Sequence, residues 1–179
     1  MKEKNNPIKA QRYVDLLTDS GFKAVFGDQK NKQVLIDFLN AVLPDGRLVK
    51  DLTKGDVDYD IPPVYLVAIL AGECLNREHP FWDERFVSEY TFREKLTGDT
   101  PEETIFCTFV ELKRFDKKLS ECKNIIDKWC YALKYMSRLD KLPKEFQKEV
   151  FRRLFEASEI AQFSEDKRIK YEQEMISER

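Results

Sequence analysis

The chain has 179 residues, which suits one domain or one domain with a helical extension. Its 31 lysines and arginines nearly balance 33 acidic residues, and the net charge of -2 lacks the basic excess typical of dedicated nucleic-acid binders. The longest apolar run, Val64 to Ala71, is too short to span a bilayer, and the charged N-terminus does not resemble a secretory signal. We therefore expect a cytoplasmic protein with no membrane partner, whose cysteines are reduced.

The N-terminal part predicts helices within residues 13–43. A short helix around Asp19 to Phe26 should end at Gly27, because glycine commonly terminates helices. Asp28 can cap the next helix, in which apolar residues recur with a period near 3.6. Those residues are Val34, Leu35, Phe38, Leu39, Val42 and Leu43.

The central part predicts three strands. The apolar run Val64 to Leu70 is typical of a strand buried on both faces. Phe86 to Leu96 is rich in β-favouring residues, and Thr104 to Leu112 follows after a loop with glycine and proline. The apolar run asks for a pairing strand on each side, and only two other strands remain. Unless both of them flank the run, its edge is exposed, and we expect the chain to associate with itself or with a partner.

The C-terminal part predicts three more helices. Ser120 can cap the first, Pro143 suits the first turn of the second, and Ser164 can cap the third. The third helix has a thin apolar stripe, so it should fray or dock elsewhere. Helices, then strands, then helices, without βαβ alternation, indicate an α+β fold with a small mixed sheet of about three strands.

Five segments carry a resemblance to a known family. They are Arg12 to Gly27, Asp28 to Leu43, Pro63 to Leu70, Phe109 to Phe115 and Asp127 to Lys134. In them the chain resembles the PD-(D/E)XK nuclease family transposases, also called recombination-promoting nucleases. The resemblance implies a remnant of a restriction-endonuclease-like fold over residues 1–115, with a C-terminal helical region, residues 116–179, packed on it. It also implies DNA endonuclease ancestry, a role in DNA recombination, and a first motif that contains Asp19, Phe22 and Lys23.

One departure from the family decides the expected activity. Family members carry several tens of residues between the Asp51-Leu52 region and the strand at Val64. That segment holds the Asp and the Glu-x-Gln or Glu-x-Lys whose carboxylates bind Mg²⁺ in intact members. Here the chain passes almost directly from Thr53 to the strand, so the catalytic pair has no counterpart. The resemblance therefore implies a degenerate copy that is inactive and binds no metal.

The sequence also contains a second possible set of nuclease carboxylates. Glu111 and Lys113 form a Glu-x-Lys at the end of the third predicted strand, where alternate residues share a face. Asp58 or Asp60 could supply the second acid of a nuclease site. The resemblance, however, aligns this strand with a later, non-catalytic strand of the family.

A basic strip is the candidate contact to DNA. Lys141, Lys144, Lys148 and Arg152 recur at helical spacing, but Glu145 is interleaved among them. This pattern is also that of an ordinary solvated helix face. Three hypotheses follow. The first is an inactive nuclease relative, and the second is a binding module that pairs with an intact relative or with DNA and so regulates it. The third is a Mg²⁺-dependent nuclease that uses Glu111 and Lys113.

Overall fold

The helices and strands occur in the predicted order. A computed structural model describes residues 11–43, 64–75, 85–100 and 105–177. The helices are α1 (Asp19–Phe26), α2 (Lys32–Val42), α3 (Ile125–Tyr135), α4 (Glu149–Ala157) and α5 (Glu165–Ser177). The strands are β1 (Val64–Leu70), β2 (Val87–Thr91) and β3 (Ile105–Glu111). This composition confirms the α+β class.

The described residues form two compact units. The first unit comprises the described residues within Met1–Val34 and Ala132–Arg179, and the second comprises those within Leu35–Tyr131. The first contains α1, α4 and α5, and the second contains the sheet. None of the helices in the described ranges has both the length and the apolar character that crossing a membrane requires.

The start and end of α1 follow from its flanking residues. The Thr18 hydroxyl oxygen accepts a hydrogen bond from the Gly21 N–H at 3.1 Å, which satisfies one of the amides left free at a helix start. The Gly27 N–H donates to the Lys23 carbonyl at 3.0 Å, and the helix ends there as predicted. Asp28 caps a short 3₁₀ turn that precedes α2, through its Oδ1 and the Lys30 N–H.

The sheet is small and mixed, as predicted. Its strand order is β1-β3-β2, with β1 parallel and β2 antiparallel to the central β3. The prediction that β1 is buried on both faces is wrong, because Val64 is 57% exposed and Leu66 is 49% exposed. Within the described part of the chain β1 pairs only with β3, and a continuous apolar run does not distinguish an edge strand from a central one.

Strand β2 is shorter than predicted because a hydrogen-bonded turn replaces its second half. The carboxylate of Glu94 accepts hydrogen bonds from the backbone N–H groups of Leu96 and Thr97. The Gly98 N–H donates to the Glu94 carbonyl at 2.9 Å, and Gly98 adopts a φ of 76°, which favours glycine. The backbone groups from Glu94 onward are therefore used inside the turn.

Two of the C-terminal helices begin later than predicted. Asn124, and not Ser120, caps α3, since its Oδ1 accepts from the Asp127 N–H at 2.7 Å. Pro143 lies in a turn that closes at Phe146 and precedes α4. The last helix begins directly after Ser164, as predicted.

Candidate functional site

The carboxylate of Glu111 lies fully buried at the end of β3. Its Oε1 accepts a hydrogen bond from the Leu75 backbone N–H at 2.8 Å and pairs with Nε of Arg114 at 3.3 Å. The Arg114 guanidinium also reaches the Leu75 carbonyl oxygen at 3.5 Å. Glu111 and Arg114 together fasten the segment that follows β1 to the end of β3.

Lys113 does not share a strand face with Glu111, contrary to the prediction. The Arg114 N–H donates to the Glu111 carbonyl at 3.0 Å, so a turn begins where β3 ends. Lys113 lies in that turn and is exposed. Asp58 and Asp60, the predicted second acids, lie outside the described residues.

Glu111 does not lie in a cluster of metal-ligating side chains among the described residues. No three His, Cys, Asp or Glu side chains come together in the parts of the chain that the structure describes. A hard cation such as Mg²⁺ is bound through carboxylate oxygens held in near-octahedral geometry. Two buried carboxylates occur among the described residues, and both have basic partners: Glu111 is bound to a guanidinium and an amide, and Asp127 to Nζ of Lys117 at 2.7 Å.

The side chains of the first motif lie on α1. Asp19 and Lys23 form an ion pair of 2.8 Å one helical turn apart, with side-chain exposures of 69% and 71%. Exposed pairs of this kind contribute little to stability, about 0.3–0.5 kcal/mol. Phe22, which is half-buried, packs against Phe26 one turn further on, at a ring separation of 4.7 Å.

Helix α5 binds this motif segment through polar side chains. The two carboxylate oxygens of Glu174 accept from the backbone N–H groups of Asp19 at 2.9 Å and Ser20 at 2.8 Å. The buried hydroxyl of Tyr171 accepts from the Asp15 N–H at 2.8 Å and donates to Oε1 of Gln11 at 3.0 Å. Of the two outcomes expected for α5, fraying or docking, the structure shows docking, and polar contacts supply what the thin apolar stripe does not.

The pKa of Asp28 depends on its contact with α5. Its Oδ2 lies 2.6 Å from Nζ of Lys167 on α5. The hydrogen bond from the Lys167 ammonium, with that from the Lys30 N–H, holds the pKa of Asp28 below its ordinary value. The associated stabilisation is present above the unfolded-state pKa and is lost as the pH falls through the lower folded-state pKa.

We expect an NMR titration of the Asp28 carboxyl carbon to give a midpoint below that of an ordinary aspartate. In Lys167→Met the midpoint should rise towards the ordinary value, because the main hydrogen-bond donor is removed. Lys170→Met is the matched control, since Lys170 is exposed on the same helix. Equal midpoints in the wild type and Lys167→Met would show that this contact does not form in solution.

The basic strip does not have the predicted helical spacing. Lys141, Lys144 and Lys148 are exposed, but they lie in an irregular segment before α4, which begins at Glu149. Arg152 is exposed on α4, with its guanidinium 3.5 Å from Oε1 of Gln147. These cations therefore do not form one face of a helix, and their contact with DNA stays a prediction.

The residues that the sequence did not predict are hydrogen-bond and ion-pair partners of the candidate residues. Arg114, which binds Glu111, carried no distinguishing pattern among the many cations of the chain. Tyr171 and Glu174 lie more than 150 positions from the amides they bind. The sequence does indicate that α5 needs polar contacts, because the helix is too polar to be held by an apolar stripe alone.

Comparison with known families assigns the class of protein. The family model described as PD-(D/E)XK nuclease family transposase matches residues 16–56 and 48–179. The chain therefore belongs to the PD-(D/E)XK nuclease family transposases, as the first motif and the later segments predicted. Searches of curated proteins and of solved structures gave no match.

Proposed function

We propose that this protein is a PD-(D/E)XK nuclease family transposase-like protein that does not cleave DNA. The observation that carries the proposal is the state of Glu111, whose buried carboxylate is engaged by Arg114 and the Leu75 amide. The family match supports it, since its two stretches meet at residues 48–56, around the position of the missing catalytic segment.

The chemistry of the family explains why this arrangement is unsuited to cleavage. Its nucleases use Mg²⁺ to stabilise charge on the scissile phosphate and to activate the attacking water. Two carboxylates must converge on the ion, and a neighbouring lysine must reach the water. Glu111 is turned into the protein, whereas Lys113 is exposed in the following turn. The two side chains therefore do not converge on one solvent-accessible position.

A plasmid-nicking assay tests the proposal. We expect supercoiled plasmid to stay intact with the purified protein in Mg²⁺ or Mn²⁺, because the Glu111 carboxylate is engaged inside the protein and Lys113 does not lie beside it. Lys113→Ala is the diagnostic variant, since an exposed turn lysine can be removed without disturbing the fold. Metal-dependent nicking that disappears in Lys113→Ala would establish the alternative, an active nuclease that uses Glu111 and Lys113.

Association with another protein is the second candidate function. The exposed apolar side chains of the sheet favour it: Val64 and its register partner Ile105 are 57% and 41% exposed, and Leu66 lies beside them at 49%. Such surfaces often mark protein interaction sites. The partner would be a second copy or an intact relative, whose activity this protein would regulate. A cytoplasmic location suits such a role.

Binding to duplex DNA should be weak and non-specific. The net charge of -2 opposes phosphate contact, and Arg153 is paired with Glu149 at 3.2 Å. We expect fluorescence anisotropy at physiological salt to give a Kd above about 1 μM, in the range of non-specific binding. The double variant Lys144→Glu, Lys148→Glu should change it little. Sub-micromolar affinity that this variant abolishes would assign the exposed lysines to a DNA site.

A further inference from the structure

Helix α5 is held to the rest of its unit through side chains on one side. Lys167, Tyr171 and Glu174 follow one another at spacings of four and three residues, and so share a face of the helix. Tyr171 is the one buried residue among the 13 of α5, all of which the structure describes. The apolar residues Ile169 and Ile176 of the helix are 42% and 72% exposed. Apolar burial therefore contributes little to the docking of α5.

The carboxylate of Glu174 completes the start of α1. The first amides of a helix have no acceptor inside the helix. Thr18 supplies an acceptor to the Gly21 N–H, whereas the N–H groups of Asp19 and Ser20 bond to the two oxygens of Glu174. In the described part of the chain these two amides have no other acceptor. Both amides therefore lose their protein partner if α5 departs.

Two anchors of α5 are carboxylate contacts. Hydrogen bonds from the Ser20 side chain and from the amides of Ser20 and Asp19 hold the pKa of Glu174 below its ordinary value, against the effects of burial and of the Asp19 charge. The second carboxylate is that of Asp28, whose pKa is lowered by its contact with Lys167. Both contacts stabilise the docked helix above the ordinary carboxyl pKa, and the stabilisation is lost as the pH falls through the lowered values.

Charged groups from several elements face these carboxylates. They are Asp19 of α1 at Glu174, and Lys30 of the 3₁₀ turn with Lys167 of α5 at Asp28. Asp19 is in turn paired with Lys23 at 2.8 Å. Lysines keep their charge throughout the acid range. The charges that change in acid are therefore those of the carboxylates, and the ammonium groups lose their partners.

The third anchor of α5 does not titrate in acid. The Tyr171 hydroxyl accepts from the Asp15 N–H at 2.8 Å and donates to Oε1 of Gln11 at 3.0 Å. Hydrogen bonds with an ionised partner are roughly twice as strong as those between neutral groups. Protonation therefore removes the stronger anchors and leaves the weaker one, and the Asp15 N–H shows whether Tyr171 then leaves as well.

We propose that α5 is an acid-released strap: it leaves the start of α1 as a unit when Glu174 and Asp28 are protonated, while the core of its unit stays folded. That core has contacts of its own. The buried residues Val14 and Ser158 are joined by a backbone hydrogen bond of 3.0 Å, to which α5 contributes nothing. Opening uncovers the first motif, and the strap is independent of the proposed lack of cleavage and of the proposed association.

Amide hydrogen exchange followed residue by residue by NMR tests the strap. The N–H groups of Asp15, Asp19 and Ser20, which we call the strap amides, have their acceptors on α5. Dividing each rate by that of the unfolded chain removes the intrinsic effect of pH. Near neutral pH we expect the strap amides to be protected, but less than Val14, because opening α5 costs less than unfolding the unit. As the pH falls they should lose protection together, and before Val14.

Glu174→Gln should open the strap at neutral pH. Glutamine offers one acceptor oxygen instead of two and carries no charge, so exchange at Asp19 and Ser20 should quicken at least about tenfold. Exchange at Val14 should stay unchanged. Glu172→Gln is the matched control, because the side chain of Glu172 is 60% exposed on the same helix. All these amides should exchange in the control at wild-type rates.

Four results would overturn the inference. Strap amides that exchange at the rate of Val14 at every pH would mean that α5 leaves only when the unit unfolds. Strap amides without protection near neutral pH would mean that α5 is not docked. Equal exchange in Glu174→Gln and Glu172→Gln would remove Glu174 as an anchor. Loss of protection in acid at Asp19 and Ser20, with Asp15 still protected, would show fraying at one end of α5 and not release as a unit.

Discussion

Replacing Glu111 by alanine should lower the free energy of unfolding by about 3–5 kcal/mol, the cost typical of breaking a buried ion pair by removing one partner. The Leu75 N–H would lose its acceptor, and the Arg114 guanidinium, which is only 19% exposed, would lose its counter-ion. Urea denaturation followed by circular dichroism measures the loss. Because the segment after β1 is held to β3 through this carboxylate, we expect the sheet to be affected first.

Two variants separate a structural role from a catalytic one. Lys113→Ala should change stability by less than about 0.5 kcal/mol, as is usual for exposed positions. Glu111→Gln should fall between the two, since an amide oxygen can still accept from the Leu75 N–H but carries no charge for Arg114. If Glu111→Ala were as stable as Lys113→Ala, the ion pair would not hold the end of β3.

Replacing Gly21 by alanine should also be strongly destabilising, by about 1–3 kcal/mol, the usual cost of overpacking. An added Cβ would stand 2.1 Å from the Asp15 carbonyl oxygen and 2.7 Å from Oγ1 of Thr18. The Thr18 hydroxyl already donates to that carbonyl at 2.8 Å. The turn before α1 would have to move, and backbone atoms cannot yield as easily as the end of a flexible side chain.

Gly72→Ala is the matched control for this substitution. No atom of the described residues lies within 4 Å of a Cβ added at Gly72, and its φ is outside the left-handed region. The control should be neutral or stabilising by about 0.4–1 kcal/mol, because alanine restricts the unfolded chain. Thermal melts of both variants decide the matter. Equal melting temperatures would mean that the space around Gly21 is larger in solution than the structure shows.

Local patterns predicted most of the secondary structure. The apolar period of α2, the helix end at Gly27 and the full extent of β1 were all read from neighbouring residues. Errors occurred where a side chain competed for the backbone. Glu94 ended β2 early by accepting hydrogen bonds from its own turn, and Asn124 replaced Ser120 as the cap of α3. Both residue types are common enough that the pattern alone did not single them out.

The candidate site was less predictable, because its determinants are tertiary. Glu111 fits a nuclease motif by its residue type and spacing, but its burial and its pairing with Arg114 depend on how the turn after β3 folds. The position of β1 at an edge likewise depends on which strand becomes central. Apolar character indicated a strand but carried no information about its neighbours.

The attachment of α5 to the first motif bears on the biosynthesis of the protein. Tyr171 bonds to Gln11 and Asp15 across separations of 160 and 156 residues, and Glu174 bonds to Asp19 across 155. Translation produces Asp15 and Asp19 early, long before their acceptors exist. The amides of the motif must therefore stay hydrated on the nascent chain until synthesis reaches α5. Native structure at the first motif can therefore be completed only after synthesis has passed Glu174, 155 residues beyond Asp19.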